Sequence, residues 1–423
     1  MGADSVLRHI SHRYSKIFQG DRAIWAIYFI FCAISLIEVY SATSSLSYKT
    51  GNFIDPVLRH GLFILGGICM AVAAHHIPSR WFKFYPFLMI PISAILLIVL
   101  LAKGAMTNNA ARWITIFGMK IQPSEFAKGA VVAAVAFILS ALQTEKGADR
   151  HAFKYILWVT VPICLLIFPE NFSTAGLLFL VVLMIMFIGR VPLAQMGKLL
   201  GVLAIIASLG IAVVAVTPQA TLNKIPKMHR LATWKGRLAD FSEKKNKPLS
   251  VENIDLSGQE THAKIAIATS HIIGKFPGNS VERDFLSQAF SDFIFAIIIE
   301  EMGLIGGFFV LMLYIILLFR ASKIANRCER PFPAFLVLGL ALLIVTQALI
   351  NMSVAVGLMP VTGQPLPFIS RGGTSTIMNG VYIGMILSVS RFAKRRSATP
   401  KAVEEVSEDH FNEEEFTSDK GMD

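Results

Sequence analysis

The sequence predicts an all-α fold: a polytopic integral membrane protein of ten transmembrane helices, with a long extracytoplasmic loop between helices seven and eight. Three observations lead there. Of 423 residues, 54% are hydrophobic and only 16% charged, against about a quarter charged in ordinary soluble domains. Apolar stretches of about 20 residues, the length that crosses a bilayer core as a helix, recur along the chain. The basic residues gather mostly in alternate short connections, as in membrane proteins oriented by the positive-inside rule.

The spans are expected near 23–43, 59–77, 82–102, 124–142, 154–168, 173–189, 196–217, 292–319, 333–357 and 371–392, the fifth being short. Arg8, Arg13, Lys16 and Arg22 precede the first span, and no small-residue cleavage site follows, which fits an uncleaved first span rather than a signal peptide. Residues 1–22 then form a cytoplasmic segment and 23–396 the membrane domain. Arg80 and Lys83, Lys146 to Lys154, Arg190 and Lys198, Arg320 to Arg330 and Arg391 to Arg396 fall on the same side as that segment. Both termini are therefore expected in the cytoplasm. Topology accounts for the net charge of +11, and no nucleic-acid partner is expected. Cys32, Cys69, Cys164 and Cys328 have no paired spacing for zinc or a disulfide.

Residues 218–290 form the long outer loop, beyond usual connection lengths and so a candidate for function. Within it His262 to Ile273 could lie along the membrane interface, and Lys244-Lys245-Asn246-Lys247-Pro248 reads as an exposed turn. Residues 397–423 carry nine carboxylates and few apolar groups, the composition of a disordered cytoplasmic tail.

Charge at the head of span eight is the most informative feature. Ser291-Asp292-Phe293 opens an apolar run that also holds Glu300 and Glu301. An aspartate near a bilayer centre costs roughly 2.5 to 3.5 kcal/mol on insertion scales, so an acid retained there is a functional candidate. The alternative is plain N-capping by Asp292. Helix phase puts Ala296, Ile299 and Gly303 on the face of Asp292 and Glu301 roughly opposite. The two glutamates, about 12 Å deeper at 1.5 Å per residue, are expected to pair with other spans.

Two further clusters face the same side. Pro123 suits a first helical turn, and Glu125 and Lys128, three residues apart, share a helix face and can pair. Either this pair eases the burial of charge, or Lys128 with Arg112 supplies cations for an anionic substrate. After span nine, prolines 360, 365 and 367 fix the backbone ahead of Ser370-Arg371-Gly372-Gly373-Thr374-Ser375. That run gathers donors at the N-terminus of span ten, where helix ends favour anions.

These stretches resemble the SEDS family (shape, elongation, division and sporulation), the polytopic partners of cell-wall transpeptidases that include FtsW and RodA. Similar are Arg112-Trp113-Ile114 with Gln122-Pro123-Ser124-Glu125 and Lys128, Asp292 to Ala296 with Glu300, Glu301 and Gly303, and Asn351 to Ser375. Departures are Leu286-Ser287-Gln288-Ala289-Phe290-Ser291 for a Leu-Pro-Glu-Ala-His-Thr run, Phe276 for a glycine, Glu170-Asn171-Phe172-Ser173-Thr174 for Pro-Asp-Phe-Gly-Thr, and Arg371 for a common tyrosine.

The resemblance implies a peptidoglycan glycosyltransferase that polymerises lipid II, with the family's essential aspartate at Asp292. A lipid II 4-hydroxyl would attack a donor glycan carried on undecaprenyl pyrophosphate. A hydroxyl nucleophile needs a base, and a pyrophosphate leaving group needs cations or a divalent metal. Asp292 is the expected base, or else the ligand of that metal. Arg112, Glu125, Lys128, Lys275, Ser370, Arg371, Gly372 and Gly373 are the expected substrate-binding residues. No organic cofactor is expected; a divalent metal, Mg or Mn, remains open. Implied partners are a class B penicillin-binding protein, a monofunctional transpeptidase, and other divisome or elongasome membrane proteins. The implied location is the bacterial inner membrane at the division septum, division-type members being the nearer match. A lipid II flippase and a non-catalytic scaffold for a transpeptidase are the alternatives.

Overall fold

A computed structural model of the chain describes residues 18–50, 54–103, 105–107, 110–116, 119–145, 147–216, 236, 259–286 and 291–393. The acidic tail, the Lys244–Pro248 turn and most of the N-terminal segment lie outside the described residues.

The helices are α1 (Arg22–Thr50), α2 (Ile54–His76), α3 (Tyr85–Lys103), α4 (Pro123–Ala141), α5 (Arg150–Ile167), α6 (Phe172–Ile188), α7 (Leu193–Val216), α8 (Gln259–Thr269), α9 (Ile294–Ala325), α10 (Pro331–Ala355) and α11 (Thr374–Ala393). Among the described residues, nine are long and apolar enough to cross a membrane. The one expected span not among these nine, α6, has 17 residues, about 26 Å at 1.5 Å per residue against a hydrocarbon core of roughly 30 Å. The short span is therefore the sixth. The fifth, expected to be short, runs a full 18 residues.

Helix ends follow local chemistry. Pro123 and Pro331 occupy first turns, where a missing N–H is harmless. Asp149 caps α5 by accepting the His151 N–H at 2.7 Å, and Asn171 caps α6 by accepting that of Thr174 at 3.2 Å. The most buried spans are α11, α4 and α10, and α7 lies at the periphery. Small residues let the buried helices approach. A methyl group on Gly129 would come within 2.3 Å of the Tyr382 ring, and one on Gly380 within 2.2 Å of the Gly67 carbonyl oxygen.

The connection after α3 is folded rather than a plain loop. Strands β1 (Ala105–Thr107), β2 (Ala110–Ile116) and β3 (Met119–Ile121) form an antiparallel meander, with Ala105 opposite Trp113 and Ile114 opposite Ile121. The β-branched and aromatic residues of Trp113-Ile114-Thr115-Ile116 suit it. A two-stranded ribbon, β4 (Gln143–Thr144) and β5 (Gly147–Ala148), links α4 to α5.

Span eight departs most from expectation. Helix α9 is broken at Gly303 (φ 73°), and the outer loop is stitched into the break. Lys275 N–H and Phe276 N–H donate to the carbonyls of Glu300 and Glu301 at 2.9 and 2.8 Å, while Leu304 and Ile305 N–H donate to His271 and Ile272 at 3.3 and 3.4 Å. The backbone groups freed by the kink thus find partners, as backbone at membrane depth must. Gly274 and Gly303 cross closely: a methyl on Gly303 would lie 2.1 Å from the Ile272 oxygen, and one on Gly274 2.3 Å from the Gly303 nitrogen. The expected interfacial helix over His262–Ile273 therefore stops at Thr269, because residues 271–276 complete α9 instead.

Candidate active site

Between α10 and α11 the chain runs without helix from residue 358 to 372 apart from turns, yet much of it is buried. Buried non-helical backbone needs partners for its carbonyl groups, and side chains from several elements supply them. Arg112 on β2 donates to Gly363 O at 3.3 Å, Asn351 on α10 to Gln364 O at 2.7 Å, and Gln347 to Pro365 O at 3.0 Å. The Tyr314 hydroxyl of α9 donates to Pro367 O, and Ser35 of α1 to Ile369 O at 2.7 Å. The Gln364 side chain reaches Thr174 on α6 at 2.6 Å. This segment is the hub on which four membrane helices and the meander converge.

Asp292 is tied to the hub. The Asn351 amide donates to the Asp292 carbonyl oxygen at 2.8 Å as well as to Gln364. Ser370 Oγ accepts from Leu366 N–H at 2.7 Å and donates to Ser291 O at 2.6 Å. The half-buried Asp292 carboxylate accepts the Ser291 hydroxyl at 2.8 Å. The N-cap position of α9 is Phe293, whose side chain makes no capping bond, so Asp292 stands one residue before the N-cap and outside the helix. A helical phase counted from Asp292 to Gly303 consequently fails at both ends.

Glu125 and Lys128 form the expected ion pair at 2.9 Å, with side chains 2% and 1% exposed. Lys128 also donates to Gln347 Oε1 at 2.7 Å, which connects the pair through Gln347 to Pro365 of the hub. Tyr382 on α11 donates to the Glu125 carbonyl oxygen and accepts the Gly129 N–H at 3.1 Å. The second Glu125 oxygen, Asn351 Oδ1, Thr362 Oγ1 and Arg112 Nε are all buried without a hydrogen-bond partner. Four such atoms around one segment are unusual, since most buried polar atoms are satisfied.

The sequence-expected residues divide into two groups. Asp292, Arg112, Glu125, Lys128 and Ser370 join through the hub. Arg371 and Gly373, both half-buried, and the buried Gly372 follow directly at the head of α11; a methyl on Gly372 would strike Ser375 Oγ at 1.9 Å. Lys275 belongs elsewhere. It pairs with Glu300 at 2.7 Å, and Ser280 Oγ and Val281 N–H also donate to that carboxylate at 2.5 and 3.1 Å. Glu301 accepts the Ser41 hydroxyl and lies 3.9 Å from Arg283, which donates to Ser41 O at 3.0 Å. The two glutamates, expected to pair with other spans, mainly anchor the outer loop, and only Ser41 of α1 meets that expectation. One turn from Ser41, Glu38 is fully buried, with neither carboxylate oxygen hydrogen-bonded.

Sequence reasoning passed over Gln347, Gln364, Thr174, Arg283 and Glu38. Single polar residues inside apolar spans, such as Gln347 and Glu38, carry the signal that could have found them.

A multi-pass membrane fold with a polar, side-chain-pinned hub beside one acidic residue is the class of protein defined here. The family model FTSW_RODA_SPOVE, described as cell cycle protein, matches residues 21–395, and the chain belongs to that family. The chain is 31% identical over 384 residues to the probable peptidoglycan glycosyltransferase FtsW of Halomonas elongata, covering 88% of this chain and 91% of that one. It is 29% identical over 374 residues to that of Bacillus subtilis, covering 86% and 89%. Among solved structures, a chain of a peptidoglycan synthase complex that coordinates polymerization and crosslinking superposes with a TM-score of 0.67 at 22% identity, over 88% of this chain and 98% of that one. The rod shape determining protein RodA of Thermus thermophilus gives 0.60 at 20%, over 88% and 97%. Both likenesses concern the fold.

Proposed function

We propose that the protein is a peptidoglycan glycosyltransferase that polymerises lipid II, with Asp292 as general base. The observation that carries the assignment of the base is the placement of Asp292: its backbone is held by Asn351, and its carboxylate is half-buried and outside the helix. An acceptor 4-hydroxyl gives its proton to an Asp292 oxygen as its own oxygen bonds to the donor's anomeric carbon. The bond from that carbon to the pyrophosphate oxygen breaks, and undecaprenyl pyrophosphate leaves with the electron pair. A single displacement of this kind inverts the anomeric centre.

Arg112 and Arg371 are the cations proposed to meet the pyrophosphate. Lys128, buried against Glu125 and Gln347, holds the hub from below, and Lys275 holds the outer loop. A divalent metal, Mg or Mn, fits as an ion shared with substrate. Asp292 offers one carboxylate, and among the described residues no three His, Cys, Asp or Glu side chains converge to hold a metal. Magnesium is commonly held by one or two carboxylates plus substrate phosphates. When bound it would neutralise pyrophosphate charge.

The proposed setting is the bacterial inner membrane at the septum, with both termini cytoplasmic and a class B penicillin-binding protein as partner. The purified protein, incubated with that transpeptidase and lipid II, should yield glycan polymer, and Asp292→Ala should abolish it while the melting temperature stays put. Polymer from Asp292→Ala equal to the parent's would remove Asp292 from the chemistry.

A second reading, transport of the lipid-linked precursor, draws on the break in α9 with Glu38, Glu300 and Glu301 buried around it, since discontinuous helices mark many transporters. Against it, the break is filled by residues 271–276, and Lys275 pairs with Glu300. Scrambling of lipid II between leaflets without polymerisation would favour transport.

A further inference from the structure

We propose that a groove between α3, α4 and α5, remote from the hub, binds one acyl chain of an anionic phospholipid whose headgroup lies over Lys154. The groove encloses about 410 Å³, and its walls include Phe87, Ile90, Phe137, Leu142, Tyr155 and Trp158. Each helix contributes the end that adjoins a basic connection. Residues 86–91 open α3, 134–142 close α4, and 155–159 follow the first turn of α5. Phe87 and Phe137 meet edge to face at 5.6 Å, while Tyr155 and Trp158 stand 53% and 78% exposed. On a chain that crosses the membrane, such a surface opens onto hydrocarbon.

Charge at the mouth selects the headgroup. Lys154 is exposed and lies one turn before Trp158 on the same face of α5. Arg150 and Arg80 are exposed at the same end. Lys83 Nζ sits 5.7 Å from the centre of the Phe332 ring, which in turn meets Phe137 at 6.4 Å. Among the described residues the acids at this end are Glu145, Asp149 and Glu329, and Asp149 is occupied in capping α5, accepting from both His151 N–H and His151 Nδ1 at 2.7 Å. Cations therefore exceed acids, the arrangement by which basic sites between membrane helices hold anionic lipid headgroups.

Size argues for a lipid chain over a partner helix. A helix is about 10 Å across with a pitch of 5.4 Å, so the groove, at about 410 Å³, matches about one turn and leaves most of a spanning segment outside it. A flexible hydrocarbon chain can follow it.

The test uses the full-length protein in phosphatidylcholine vesicles doped with phosphatidylglycerol or phosphatidylcholine that carries a photoactivatable diazirine on one acyl chain. Phosphatidylglycerol should label residues 86–91, 134–142 and 155–159 about fivefold more than phosphatidylcholine, the preference expected of one basic residue at a membrane surface. Lys154→Glu should bring the two lipids level. Ala141→Phe, which fills the groove from an exposed position, should reduce labelling there by both lipids and leave labelling of α7 intact. Equal labelling of the parent by the two lipids, or parental preference in Lys154→Glu, would mean ordinary boundary lipid and overturn the proposal. Crosslinking of the groove in native membranes to a second protein's helix instead of to lipid would overturn it as well.

Discussion

Asn351 spends both amide hydrogens on backbone, one on the carbonyl of Asp292 at 2.8 Å and one on that of Gln364 at 2.7 Å, so a single side chain locks the candidate base to the hub. Both partners are acceptors, which fixes the amide orientation and leaves Oδ1 buried and unpartnered. Asn351→Leu strips two buried carbonyls of their donor, at about 1–3 kcal/mol for each group left unsatisfied. Polymerisation should fall by more than the loss of folded protein explains. Circular dichroism melting run beside a lipid II polymerisation assay would separate the two, and unchanged turnover would show that Asn351 does not position Asp292.

Glu125 and Lys128 test whether a buried pair serves charge or shape. Removing one partner leaves an uncompensated buried charge, at about 3–5 kcal/mol, so Lys128→Met alone should lower the melting temperature sharply. The double variant Glu125→Gln with Lys128→Met should recover most of that loss. If the double variant regains stability and still does not polymerise lipid II, the charges act in the reaction as well as in the fold.

Gly303 should tolerate no side chain. Its φ of 73° with ψ −178° lies in a region open essentially to glycine alone, where a residue with a Cβ is strained by about 1–3 kcal/mol, and the added methyl would meet the Ile272 oxygen at 2.1 Å. Gly303→Ala should release residues 271–276 from α9. Limited proteolysis would report this as new cleavage between residues 271 and 286, and an unchanged digest would argue against the stitched arrangement.

Phe276 gives the opposite case. It holds φ 68° with its ring largely exposed, at the position where the resemblance expects glycine. Phe276→Gly should relieve about 1–2 kcal/mol of left-handed strain against about 0.5–1 kcal/mol of added unfolded-state entropy. A small rise in melting temperature and slower amide exchange over residues 274–280 are expected.

Much of this was legible along the chain. The order of apolar stretches, the basic alternate connections and Pro123 each act locally, through hydropathy, charge or a missing N–H, so the spans could be read directly. The ion pair of Glu125 with Lys128 was legible for the same reason, since both lie on one turn of α4. Other features depend on segments remote in sequence. The role of Gln347 required Lys128 and Pro365 to arrive from other elements, and the pairing of Lys275 with Glu300 required the outer loop to enter α9. A helical phase assumed unbroken through Gly303 could not anticipate that entry.

The sequence by itself determined a chain that must cross the membrane many times, because uncharged apolar stretches of that length have no other stable place. It also placed an acid at the head of span eight, which made Asp292 a candidate beside plain N-capping, and the family resemblance is what singled it out. Only the tertiary structure decided what each polar group serves. Buried carbonyls without helix must find donors, and the donors came from α1, α9, α10 and β2, spread over 316 positions from Ser35 to Asn351. That demand gathered the hub beside Asp292 and sent Lys275 away from it to close the break in α9.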